Sequence, residues 1–193
     1  SWLSVQALQG RRIAGHRMVV AQLPTVFGAA RTQLDALLHQ HRPALVICVG
    51  QAGGRAALSL ERVAINLDDA RIADNAAARP IDRPVVPGGP AAYFTSLPVK
   101  AMLVALQRKG IAAEVSQTAG TFVCNHVFYG LMHALATRRD LRHTRGGFVH
   151  VPWLPEQGTP SMALQDMASG LRVAIRAALS TREDLRVSAG QLS

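Results

Sequence analysis

The sequence predicts a single α/β domain of three α/β/α layers, with helices on both faces of a mostly parallel central sheet. Short β-branched runs alternate with segments of helical periodicity along the chain. One run, Ala44-Leu45-Val46-Ile47-Cys48-Val49, is apolar throughout and predicts a central strand buried on both faces. A chain of 193 residues, 49% of them apolar, suffices for one sizeable core without invoking disorder.

Trp2, Val5 and Leu8 open the chain at helical spacing. Residues 17–23, with Met18-Val19-Val20, read as a strand closed by Pro24. Residues 28–41 read as a helix with Leu34, Leu37 and Leu38 on one face, broken by Pro43. The apolar core strand follows, and Gly50 ends it. Gly50-Gln51-Ala52-Gly53-Gly54-Arg55 is then a glycine-rich loop where an open α/β sheet binds ligands, beyond the carboxyl end of a strand. Its spacing fits neither a dinucleotide fingerprint nor a phosphate loop, and a plain tight turn is the alternative.

Residues 61–67 alternate polar and apolar and predict one half-buried strand. Residues 68–90 read as a long loop rich in Asp, Ala, Pro and Gly, with a hairpin around Val85-Val86. Residues 98–108 form a helix, with Pro98 at its start and Gly110 past its end. Residues 113–117 are a strand. The helix that follows carries Val127, Phe128, Leu131, Met132 and Leu135 on its buried face. Residues 146–151 make a last strand, 152–157 a proline-stiffened loop, and 161–179 the final helix. The polar tail, 180–193, is expected to fray.

Charge and composition narrow the function. The net charge is +9, yet the arginines are scattered, with doublets only at Arg11-Arg12 and Arg138-Arg139. Aromatics are 5% of residues, too few for stacking platforms, so the basic surface is read as solvated and no nucleic acid is expected. No run reaches the roughly 18 apolar residues of a membrane span, and no cleavable leader is read. Two cysteines make no disulfide framework and no Cys/His cluster has zinc spacing, so no cofactor or metal is expected. A reducing, cytoplasmic setting fits.

Cys124 is the residue on which a chemical reading centres. It falls where the 113–117 strand turns into a helix, in Thr118-Ala119-Gly120-Thr121-Phe122-Val123-Cys124-Asn125. Unpaired N–H groups and the positive helix end gather there and lower a thiol pKa, which predicts a nucleophilic thiolate. Cys48, inside the apolar run, reads as core filler. A thiol nucleophile needs a base and a group to orient it. His150 ends an apolar strand at the sheet edge where loops converge, but position alone also leaves His126 and His133 open. Glu61, at the mouth of a strand, is either the orienting carboxylate or a surface group paired with Arg55 or Arg62. Spacing does not choose between these.

Three stretches resemble the pyrrolidone-carboxyl peptidases (pyroglutamyl-peptidase I), a cysteine peptidase family. They are Gly50 to Arg55 continuing through Ser59-Leu60-Glu61-Arg62-Val63-Ala64-Ile65-Asn66, then Thr118 to Asn125, then Phe148-Val149-His150-Val151-Pro152 with Leu154-Pro155-Glu156-Gln157. Ala70-Arg71-Ile72 with Asp74-Asn75, and Tyr93-Phe94 with Leu97-Pro98, also match. The resemblance implies Cys124 as nucleophile, His150 as base and then acid, and Glu61 orienting the imidazole, in removal of an N-terminal pyroglutamyl residue from peptides. It implies a lactam pocket in which the Gln51 amide pairs with the ring, Phe122 and Val123 pack against it, Thr25 and Ile72 line it, and Arg71 stands near the oxyanion. It also implies a homo-oligomer, a tetramer. Ser1-Trp2 matches the segment just after the family's N-terminal strand and Gly/Phe-rich loop, so the chain is expected to lack both. A catalytically impaired lactam-binding homologue and another cysteine hydrolase of small cyclic amides are therefore the alternatives.

Overall fold

A computed structural model describes residues 1–190. Its central sheet has four strands: β3 (Leu45–Gln51), β4 (Leu58–Glu61), β7 (Ala113–Ser116) and β8 (Arg145–Val151). Their spatial order is β3-β8-β4-β7. β3 runs parallel to β8 and β4 parallel to β7, but β4 and β8 are antiparallel. The sheet is therefore mixed with parallel pairings predominating.

Side-chain alternation splits the core into two halves. Leu58, Leu60, Val115, Val149 and Val151 face α3 (Val99–Gln107) and α5 (Leu164–Ser180), joined by Leu8 just past α1 (Trp2–Gln6). Cys48 and Phe148 face α2 (Ala29–His41) and α4 (Val123–Thr137). Helices thus cover both faces, and α4, with Phe128, Tyr129 and Leu131 fully buried, forms the main contact of the second half.

Several elements depart from the sequence reading. Residues 17–23 are not a strand of the sheet. A hairpin forms instead, β1 (Arg12–Ile13) with β2 (His16–Arg17), closed at Ala14-Gly15, both at positive φ. Its pairing consumes Met18, whose N–H donates to Arg11 O, and leaves 19–24 without ladder bonds. The strand expected over 61–67 is two strands. β4 starts earlier and is buried at all four positions, whereas β5 (Val63–Ile65) pairs outside the sheet with β6 (Ala92–Phe94). The polar alternation of β4 mimics exposure because Ser59 and Glu61 are buried with partners; Ser59 Oγ donates to Glu114 Oε1 at 2.8 Å. No hairpin forms at Val85-Val86; the 68–90 loop is held by an isolated Asp68–Arg83 bridge. The tail is anchored at Asp184, whose carboxylate accepts from the Lys100 and Ala101 N–H groups at the start of α3. The end of the expected tail, 191–193, lies outside the described residues.

Candidate active site

The antiparallel β4–β8 pairing puts Glu61 and His150 on one face. Ser59 lies opposite His150 and Glu61 opposite Phe148, so all four side chains point toward α4. His150 Nδ1 and Glu61 Oε1 are 2.8 Å apart, and both side chains are buried. A carboxylate oxygen can only accept, so in the neutral imidazole Nδ1 carries the proton and Nε2 presents a lone pair. Phe148 backs the imidazole at 4.8 Å between ring centroids.

A fully buried carboxylate requires a countercharge. Arg55 supplies it from the loop after β3. Its Nη1 donates to the same Glu61 Oε1 at 2.6 Å and to Ser116 Oγ at 3.4 Å, and its Nη2 donates to Thr118 O at 3.1 Å. The two fates left open for Glu61 thus coexist: it pairs with an arginine and holds a histidine. Glu61 Oε2 is buried without a partner. Arg55 also ties the β4 end to the loop leading to Cys124. That loop turns at Gly120, which has a φ of 76° and whose N–H donates to Thr118 Oγ1.

Cys124 is the second residue of α4, after the extended Phe122. No side chain caps this helix start. The first N–H with a helical partner is that of His126, bonded to Phe122 O, so the Val123, Cys124 and Asn125 donors face forward. The Asn125 side chain reaches back instead, pairing with Ile65 N–H and with the Ile65 and Leu67 carbonyls. Contrary to the lowering expected at a helix start, burial pushes the Cys124 thiol up to about 11. The nearby Glu61 charge adds to this and Arg55 opposes it. Desolvation outweighs the helix end and disfavours the thiolate of Cys124.

Gly50 shows how closely Cys124 sits on the sheet. A Cβ there would lie 2.8 Å from Cys124 Sγ and 2.9 Å from Phe148 Cζ. Gly50 is in register with His150 on the adjacent strand, so the thiol lies over the backbone one strand spacing, about 4.8 Å, from the His150 backbone. Gly50→Ala is therefore expected to lower kcat about 100-fold, because the methyl displaces Sγ and Phe148 is held under the imidazole. Steady-state kinetics beside a melting curve separates this from unfolding; an unchanged kcat in a folded variant would refute the close approach.

The pocket candidates are dispersed around this centre. Phe122 is half-buried and Val123 buried beside Cys124; Thr25, Arg71 and Ile72 are exposed. Their segments are laced together. Asp69 N–H donates to Thr121 O, Thr121 Oγ1 donates to Asp69 O at 2.6 Å, and Asn75 N–H donates to Thr25 O. Ile72 thus sits midway on a loop tied at one end to the Cys124 turn and at the other to Thr25. The Gln51 side chain is elsewhere. Gly50 faces Cys124, so alternation sends the Gln51 side chain to the opposite side, with Val151. There its Nε2 donates to Gln157 Oε1 at 2.6 Å and to Pro152 O at 3.3 Å. Its main chain is placed differently: Ala52 N–H bonds Val151 O, so by the parallel alternation the Gln51 N–H and C=O point away from β8.

Sequence reasoning passed over Arg55 as an orienting group, because an arginine after two glycines carries no signature of its own. It also passed over Phe27 and Asp68, and weighed His126 only as a possible base; the fold alone brings the three together. Among the described residues no three His, Cys, Asp or Glu side chains converge as a metal site. A cavity of about 290 Å³ lined by Arg62, Ser96, Lys100, Arg182 and Asp184 contains none of the Cys124, His150 and Glu61 side chains.

Comparison with known proteins adds a family. A family model described as pyroglutamyl peptidase matches residues 1–181. A pyrrolidone-carboxylate peptidase of Cupriavidus taiwanensis is 59% identical, over 100% of this chain and 91% of the relative. One from Erwinia tasmaniensis is 52% identical, over 98% and 90%. The crystal structure of Bacillus amyloliquefaciens pyroglutamyl peptidase I superposes with a TM-score of 0.92 at 43% identity, covering 95% of this chain and 90% of that one.

Proposed function

Because the chain belongs to the pyroglutamyl peptidase family, it is a peptidase that removes N-terminal pyroglutamate, and we propose that Cys124, His150 and Glu61 carry the reaction. The observation that supports this assignment is the Glu61–His150 pair aimed at the helix start that holds Cys124. His150 Nε2 takes the Sγ proton as sulfur attacks the pyroglutamyl carbonyl carbon. The negative charge that develops on the carbonyl oxygen meets the Cys124 N–H, with Arg71 as a further candidate on the rim. The tetrahedral species collapses, the C–N bond breaks, and His150 returns the proton to the departing amine. A thioester remains. Water, deprotonated by His150, attacks it and releases pyroglutamate and the free thiol. Glu61 holds the Nδ1–H tautomer throughout and stabilises the imidazolium, while Arg55 pairs with the same Glu61 oxygen.

In the pocket, Phe122 and Val123 pack on the flat ring and Thr25 and Ile72 enclose it. Gln51 contributes its main-chain N–H and C=O, since its carboxamide is engaged by Gln157. A lactam carries an N–H and a C=O that proline lacks, so a site built to pair them discriminates against prolyl peptides by more than shape alone. The test is a fluorogenic pyroglutamyl amide beside the prolyl amide. Cleavage of the first alone is expected; equal turnover of both would overturn the lactam reading, and binding without turnover would favour the impaired homologue.

The assembly is proposed to be a cytoplasmic homotetramer. Exposed Ile81 and Phe94 are the type of side chain an interface covers. No helix among the described residues is long and apolar enough to cross a membrane.

A further inference from the structure

His126 lies two residues beyond the nucleophile, on the other side of α4, and the mechanism above does not use it. It is 5% exposed, and a buried imidazole needs a partner at each nitrogen. Nδ1 meets Asp68 Oδ2 at 2.8 Å, and Asp68 is 6% exposed. Nε2 accepts the Gly28 N–H at 3.1 Å. A backbone N–H can only donate, so Nε2 is unprotonated and the proton sits on Nδ1. His126 is thus a fixed link from the 68–90 loop, through the nucleophile's own helix, to the turn before α2.

That turn hangs on few bonds. Phe27 N–H donates to Asp74 Oδ2 at 2.8 Å, Asn75 N–H donates to Thr25 O at 3.0 Å, and Gly28 N–H donates to His126. It carries Phe27, whose ring stands edge-on to Phe122 at 5.3 Å and 90°, and edge-on to His126 at 5.4 Å and 89°. Phe122 precedes Cys124 by two residues at the pocket. The ring that backs Phe122 is therefore located by His126, while Sγ and the Glu61–His150 pair lie outside this chain of contacts.

We propose that His126, oriented by Asp68, is a positioning residue for substrate recognition: it fixes Phe27 behind Phe122 and so sets affinity for the lactam ring without entering the chemistry. The proposal rests on the reading that Phe122 packs against the lactam.

Two variants divide the imidazole's functions. His126→Asn keeps a donor where Nδ1 stood and loses the Gly28 acceptor. His126→Gln places a carbonyl oxygen where Nε2 stood and keeps that acceptor. With a pyroglutamyl amide, His126→Asn is expected to raise KM about tenfold while kcat stays within about threefold, the worth of one edge-to-face aromatic contact. His126→Gln should hold KM near the parent value, and iodoacetamide should alkylate Cys124 at the parent rate in both. A merely structural role would lower the melting temperature and the active fraction, and hence apparent kcat, with KM unmoved. An unchanged KM in folded His126→Asn, or equal shifts in the two variants, overturns the proposal. Should His126→Asn not fold, Phe27→Leu decides: it leaves the His126 bonds intact and must raise KM likewise. Failure of the underlying pocket reading is seen separately, as Phe122→Ala leaving KM unchanged.

Discussion

Cys124→Ala is expected to lower kcat/KM for a pyroglutamyl amide by about 10⁴-fold or more, the scale on which a nucleophile and its base fail as a unit. The variant should fold as the parent does. Alanine is smaller than cysteine and Gly50 carries no side chain, so the substitution introduces no clash over the sheet. The same residue makes a prediction in pH. Burial and the Glu61 charge raise the thiol to about 11. The thiolate population therefore still grows with pH above neutrality, and iodoacetamide inactivation should accelerate through pH 9 without a plateau near 6 or 7. A neutral-pH plateau would mean a preformed thiolate–imidazolium pair and would contradict the balance of forces at the helix start. Full activity in Cys124→Ala would remove the nucleophile assignment altogether.

Glu61→Gln is expected to lower kcat by about 10³–10⁴-fold with little loss of folded protein, the range seen when an orienting carboxylate becomes an amide. The amide oxygen can still accept one hydrogen bond, but two donors compete for Glu61 Oε1, His150 Nδ1 and Arg55 Nη1. Arg55 is permanently charged and holds the oxygen, so the amide NH₂ turns to the imidazole and favours the wrong tautomer. Glu61→Ala should differ in kind. It strands a guanidinium that is 24% exposed and a buried imidazole, and a broken buried pair costs about 3–5 kcal/mol of stability. Equal melting temperatures for the Gln and Ala variants would show that the Arg55 contact does not stabilise the fold.

The legible parts of this chain were those where one-dimensional pattern and burial coincide. β3 reads as a strand because apolar side chains cover both its faces, but it stands at the sheet edge and is only half-buried at most positions, not central as its apolar run suggests; α4 is legible because its apolar face recurs every turn. β4 was misplaced because polar Ser59 and Glu61 sit among leucines, a pattern that local alternation assigns to solvent. Only their partners, Glu114, His150 and Arg55, explain why they are inside. Those partners lie far along the sequence, and no periodicity reports them. The motif around Gly50 was visible, but which way Gln51 points depends on strand register, which glycine spacing does not encode. The thiol pKa was misjudged for a related reason. Helix ends can be read from sequence, whereas desolvation depends on what the rest of the chain lays over the site.

A thiol whose ionised form burial disfavours has a pharmacological consequence. Simple haloacetamides and peroxide consume pre-existing thiolate, so at neutral pH both would find few targets here and the site would resist casual oxidation. An aldehyde or nitrile built on a five-membered lactam acts differently. Its addition draws the proton onto His150 and creates an anion at the waiting N–H groups, so the drug itself triggers the step that arms the sulfur. Selectivity over cysteine proteases with a standing thiolate would then come from warhead class as much as from the ring that carries it.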